Sequence, residues 1–185
     1  MEAWTHYYAC YLPSIGYPLP FLSMTQVQLD WVQRTAMRII IARCGYNRNT
    51  TKREIIYGPM AQGGANFRHL YMHQGVGQIT LFLKHWRQPD TMTGKLLNCA
   101  VTWTQLNAGA SYSNFQQVQT ALPHLESKWL NSMRDFLATI NANMELDNTG
   151  VPMILRQHDA YIMDLILDSA QFTPMQIRRL NYCRL

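Results

Sequence analysis

The sequence predicts a mainly α-helical protein, an irregular bundle of five to six helices with one or two short extended segments. Three observations carry that prediction. Apolar residues recur at helical spacings through long segments. Those segments are framed by helix-starting Thr, Ser or Asn and closed by Gly or Pro. Apolar residues also make up 48% of the 185-residue chain against 15% charged, a balance that fills a core and argues against disorder.

Residues 1–23, rich in Tyr and Pro, read as an extended lead-in or one short helix. A helix follows from Met24, capped by Thr25 or Ser23, with Val27, Trp31, Val32, Ala36, Ile39 and Ile40 on its apolar face. Gly45 ends it, because glycine adopts the left-handed closing conformation cheaply. Arg34 and Arg38, four apart, share a face. Glu54–Tyr57 reads as a short extended segment closed by Gly58-Pro59, and Gly63-Gly64 as a turn. Asn66 is the expected cap of a second helix reaching about Trp86, before Pro89. Gly75 and Gly77 within it imply close packing or a kink, since each costs roughly 1 kcal/mol relative to Ala.

Thr91 or Thr93 opens a third helix to about Leu106, stopped near Gly109, and residues 110–123 read as a polar loop. Leu125, Trp129, Leu130, Met133, Phe136, Leu137 and Ile140 give the clearest amphipathic helix in the chain. Asp147–Gly150 reads as a turn and Val151–Leu155 as extended. A helix is expected over His158–Asp168, and Thr173-Pro174 starts a last one. The resulting organisation is a lead-in at 1–23, a basic helical subdomain at 24–109 and an acidic one at 110–185, the latter two separate or continuous.

The charge is unevenly spread. Between Trp31 and Ala100, ten Lys or Arg face only Glu54 and Asp90, a net of +8. From Val101 to Ile177, three cations face seven acids, a net of −4. Such a split points to a polyanion partner for the basic half. Cys10, Cys44, Cys99 and Cys183 are scattered and read as reduced, mostly buried thiols of an intracellular protein, cytoplasmic or nuclear. No apolar run approaches the roughly 20 residues of a membrane span. No Lys or Arg precedes Arg34, so the start does not read as a signal peptide. Eleven Met and a low charge content imply apolar surface meant for a partner or for missing chain.

Chemistry is hard to assemble from these residues. His69 and His73 are four apart but lack the glutamate of the zinc-protease helix, so they read as packing or surface histidines. His158 and Asp159 are adjacent and diverge on a helix. Asp164 and Asp168 share a face with Asp159 turned away, which reads as a solvated helix face rather than a metal-binding cluster. Gly58–Gly64 lacks the Lys-Ser/Thr ending of a phosphate loop, and no nucleophile elbow is present. No cofactor, metal site or catalytic set is expected.

The basic zone offers more. Arg34, Arg38, Arg48, Lys52, Arg53, Lys84, Arg87 and Lys95 lie among Tyr46, Tyr57, His85 and Trp86. Cations neutralise phosphates, and aromatic or guanidinium planes stack on bases. Arg48, Lys52, Arg53, Lys84 and Arg87 are the expected phosphate contacts, and Tyr46 and Trp86 the expected stacking residues.

A family resemblance overlies this reading. Gly45-Tyr46-Asn47-Arg48-Asn49, Tyr57-Gly58-Pro59, Gly63-Gly64, His69-Leu70-Tyr71, Gln74-Gly75, Leu83-Lys84-His85-Trp86-Arg87 and Gly94-Lys95-Leu96-Leu97 occur in that order, and the chain closes on Asn181-Tyr182-Cys183-Arg184-Leu185. From about Leu19 onward this resembles the region downstream of the polymerase core in reverse transcriptase-like proteins of eukaryotic non-LTR retrotransposons. The resemblance implies a helical thumb or connection region that helps grip the template–primer duplex. It places the catalytic fingers and palm upstream of Met1 and carries no catalytic residue onto this chain. The expected function is therefore a non-catalytic grip on RNA or an RNA–DNA duplex, with an upstream polymerase core as a further partner. The alternative is a helical protein-interaction module docking on a partner or on that core.

Overall fold

Thr25, Thr91, Ser127 and Thr173 each offer a side-chain oxygen to a main-chain N–H that a first helical turn leaves unpaired. The computed structural model, which describes residues 2–47, 49–147, 156–169 and 171–185, uses all four as helix starts. Its helices are α1 (Glu2–His6), α2 (Leu12–Gly16), α3 (Gln26–Arg43), α4 (Arg53–Tyr57), α5 (Leu70–Trp86), α6 (Met92–Ala108), α7 (Lys128–Thr139), α8 (Ile162–Asp168) and α9 (Pro174–Arg184). No strand occurs among the described residues, and the mainly α class holds. The five to six helices read from the sequence correspond to α3 and α5–α9. The additional ones, α1, α2 and α4, are five residues each.

Contacts divide the chain into two compact units, Met1–Leu81 and Phe82–Leu185. In the first, the lead-in takes the helical of its two expected forms, as two short helices and not one: α1 and α2 are joined by a π turn, Tyr7–Tyr11. That turn buries Tyr7 completely, edge-on to Phe67 at 4.8 Å, with its hydroxyl donating to the Arg68 carbonyl at 3.0 Å. Helix α3 begins with a reciprocal capping box, Thr25 with Gln28. It ends on Gly45 at φ 85°, with the Gly45 and Tyr46 amides returning to Ala42 and Ile41. Its buried residues are Leu29, Gln33, Met37 and Ile41, while Val27, Trp31 and Ile39 face solvent. The expected face was therefore the wrong one, because a buried glutamine interrupts the true apolar stripe.

Glu54–Tyr57 is helical, not extended. The Lys52 carbonyl receives the Ile55 and Ile56 amides, and this turn overrides the weak strand preference of two isoleucines. The chain after Gly58 folds back on the same helix: Ala65, Asn66 and Phe67 donate to Ile55, Gly58 and Ile56. Asn66 therefore lies in the left-handed region, φ 56°, and does not cap α5, which starts at Leu70. Gly77 gives the expected close approach, since a Cβ there would stand 2.7 Å from Pro20.

In the second unit, α7 presents Leu130, Met133, Phe136 and Leu137 to the core, as its period predicted. Phe82 and Phe115 meet edge-on at 5.6 Å, and Ala108, Leu122 and Leu125 form a buried cluster with Leu167 against it. The 110–123 segment is irregular, as expected, but is held from inside. Gln105 pairs with the Tyr112 carbonyl and the Asn114 amide, and Arg134 donates to the Asn114, Gln117 and Thr120 carbonyls. Arg184, oriented by Asn181 Oδ1, bonds the Leu106 and Asn107 carbonyls at the end of α6. Helix α8 starts only at Ile162, since His158 at φ 73° cannot be helical. The Val151–Leu155 segment and Asn148–Gly150 lie outside the described residues. The cysteines are free, but Cys10, Cys99 and Cys183 are exposed and Cys44 half-buried, against the expectation of burial. They lie on outward helix faces or beside an end.

Candidate nucleic-acid interface

The residues expected to carry binding fall in both units. In the first, Lys52 and Arg53 are exposed at the start of α4, and Tyr46 is half-buried where its amide closes α3. Arg48 lies outside the described residues. In the second, Lys84 and Arg87 are exposed at the end of α5. Trp86 between them is half-buried, stacked on Phe82 with centroids 5.7 Å apart and planes 10° off parallel.

Arg53 belongs to a defined cleft of about 290 Å³ in the first unit. Helix α3 supplies Asp30, Arg34, Met37, Arg38 and Ile41 to its walls, α4 supplies Arg53, Ile56 and Tyr57, and His69 closes one end. The spacing explains the assembly. Positions 30, 34, 37, 38 and 41 fall on one side of a helix, and the short α4 brings Arg53 and Tyr57 to the same opening. Arg34, Arg38 and Arg53 are exposed, and none forms an ion pair with a described carboxylate. The apolar wall is the buried part: Met37, Ile41 and Ile56.

The acidic end is already organised. His69 Nε2 donates to Asp30 Oδ1 at 3.1 Å, and the Tyr57 ring stands edge-on to the imidazole at 5.1 Å. Burial pushes the His69 pKa below its ordinary value, outweighing Asp30, which acts the other way. Burial likewise raises the Tyr57 hydroxyl, with Arg53 opposing. A neutral His69 leaves the Asp30 charge in place, so the cleft carries three guanidinium groups and one carboxylate. Oδ2 of Asp30 has no bonded partner among the described residues.

Sequence reasoning missed Trp31. It was read as core but is 70% exposed. Its spacing from Arg34 and Arg38, three and seven residues, puts it on the same side of α3 as both. That spacing was the available signal. His73 packs its ring against Gly16 rather than joining His69. Among the described residues, no group of three or more His, Cys, Asp or Glu is placed to hold a metal ion, and no helix is long and apolar enough to cross a membrane. Asp164 accepts the Ser111 amide.

Comparison with protein-family models, with curated proteins and with solved structures finds no match to this chain.

Proposed function

We propose that this chain binds nucleic acid without catalysing a reaction, gripping the sugar–phosphate backbone through its basic zone. The observation that carries the reading is the cleft of the first unit, where Arg34, Arg38 and Arg53 line one opening without an ion-pair partner among the described residues, on a unit whose helix α3 also exposes Trp31. Unpaired guanidinium groups suit phosphate, and an exposed indole is a base platform. Lys52 in the same unit, and Lys84 and Arg87 in the second, are further exposed cations. The resemblance to retrotransposon reverse transcriptase-like proteins supports RNA or an RNA–DNA duplex as the ligand and a template–primer grip as the role. Fluorescence anisotropy with an RNA–DNA duplex over a series of salt concentrations tests it. Affinity should fall steeply as salt rises, by counterion release. Absence of binding at low salt, or binding indifferent to salt, rejects it.

A second reading, a protein-interaction module, is favoured by α6. Met92, Leu96, Cys99, Trp103 and Leu106 are all exposed and spaced 4-3-4-3, the pattern of a helix-pairing seam. The partner that fits is a second copy. Antiparallel pairing about Cys99 sets Met92 against Leu106 and brings Lys95, the single charge on this helix, beside the other Trp103, a cation–π arrangement. Sedimentation velocity decides it: a dimer that Trp103→Ser dissociates supports the pairing, and a monomer at high concentration excludes it.

A further inference from the structure

The cleft of the first unit contains more than a grip on phosphate requires. Three guanidinium groups on an open face would suffice for a backbone. Instead they surround a recess whose floor is Met37, Ile41 and Ile56, with the Asp30 carboxylate at one end. We infer that this recess seats one unpaired nucleotide of a single strand, its phosphates on Arg34, Arg38 and Arg53 and its base against the apolar floor and Tyr57. The inference rests on the nucleic-acid reading and adds to it the strand state.

Size is the first reason. At about 290 Å³ the recess stands at the small end of sites for small ligands, about 300–1,000 Å³. One nucleotide is commensurate with it. A duplex, whose bases are stacked inside a convex backbone, has nothing to insert. The floor is the second reason. Met37, Ile41 and Ile56 line the recess, and an apolar wall accepts the flat face of a base while offering a phosphate nothing.

Asp30 supplies the third. A carboxylate inside an anion-binding recess opposes the ligand unless the ligand also brings a donor. Every unpaired base brings one, an amino group on adenine, guanine and cytosine and the ring N3–H on thymine and uracil, and Asp30 Oδ2 has no partner among the described residues. The side chains of an acidic peptide bring more carboxylates, which Asp30 repels, so Asp30 disfavours that kind of polyanion. Outside the recess, Trp31 lies on the same side of α3 as Arg34 and Arg38, where the next base along a strand can stack.

The full chain is titrated with a labelled oligo(dA) strand, with the same strand in a blunt duplex, and with an abasic strand of the same length. Oligo(dA) should bind about tenfold more tightly than the duplex, the scale of one stacked base. Trp31→Ala and Arg38→Ala, both at exposed positions, should weaken the single strand several-fold. Asp30→Asn should bring the ratio of oligo(dA) to abasic-strand affinity towards one. Equal affinity for strand and duplex, with Arg38→Ala weakening both, overturns the unpaired nucleotide while sparing the nucleic-acid reading. A ratio unmoved by Asp30→Asn removes the base from the recess. Failure to bind either form, or displacement by poly-glutamate as effective as by the strand, overturns both.

Discussion

Arg134 shows how far a residue's role departs from its type. Its side chain is 5% exposed on the inner face of α7. There its guanidinium serves as a set of donors to the carbonyls of Asn114, Gln117 and Thr120, tying down a segment with no regular hydrogen bonding of its own. Arg134→Met keeps the volume and removes the donors, leaving those carbonyls unpaired. Buried unsatisfied groups cost about 1–3 kcal/mol each, so urea denaturation should show a loss of about 3 kcal/mol or more. A loss below about 1 kcal/mol would show that water replaces the arginine. The cysteines make a second residue-scale prediction. With Cys10, Cys99 and Cys183 exposed and Cys44 half-buried, a thiol reagent added to the native protein should titrate three groups quickly and one slowly. Four slow thiols would contradict this arrangement.

At the scale of elements, the fold-back after α4 depends on Gly64. A Cβ there would stand 2.1 Å from the Gly58 carbonyl oxygen, whereas one on Gly63 meets nothing. Gly64→Ala must therefore move backbone, at about 1–3 kcal/mol. Gly63→Ala incurs only the left-handed penalty at φ 79°, about 1–2 kcal/mol. Chemical denaturation should rank Gly64→Ala as the more damaging, and the reverse order would show that the 58–64 turn adjusts freely. What the sequence made legible follows the same division. Caps at Thr25, Thr91 and Thr173 and stops at Gly45 and Gly109 were readable because each acts through its own neighbours. The buried face of α3 was not, because Gln33 is inside to bond the Arg68 carbonyl and the Leu70 amide. Hydropathy scores such a position as surface. Gln74, paired with both main-chain groups of Met24, hides the core in the same way. Of the candidate site, the basic residues were visible as charges. The recess they surround was not, since it needs Glu54–Tyr57 to be helical.

Across the whole molecule, the charge contrast and the buried histidines act on different properties. The +8 zone sets the electrostatic field of one stretch of the chain, while the histidines govern how folding responds to pH. His69 and His73 in the first unit and His124 in the second are each held below the ordinary imidazole pKa, chiefly by burial. His124 is 5% exposed, with Nε2 3.1 Å from the Ala108 carbonyl and Nδ1 unpartnered. In the unfolded chain these groups take up protons near about pH 6.5, while the folded chain keeps them neutral to lower pH. The unfolded state therefore binds more protons in that interval, so stability rises with pH there. It is fully present above about pH 6.5 and declines as pH falls through the depressed folded values. The melting temperature should be level between about pH 8 and 7 and drop progressively from about pH 6.5 to 5.5. His124→Asn, which removes one titrating group, should flatten that drop relative to its own value at neutral pH. A melting temperature that holds or rises on acidification through this interval would mean that these imidazoles accept protons in the folded protein as readily as in the unfolded chain.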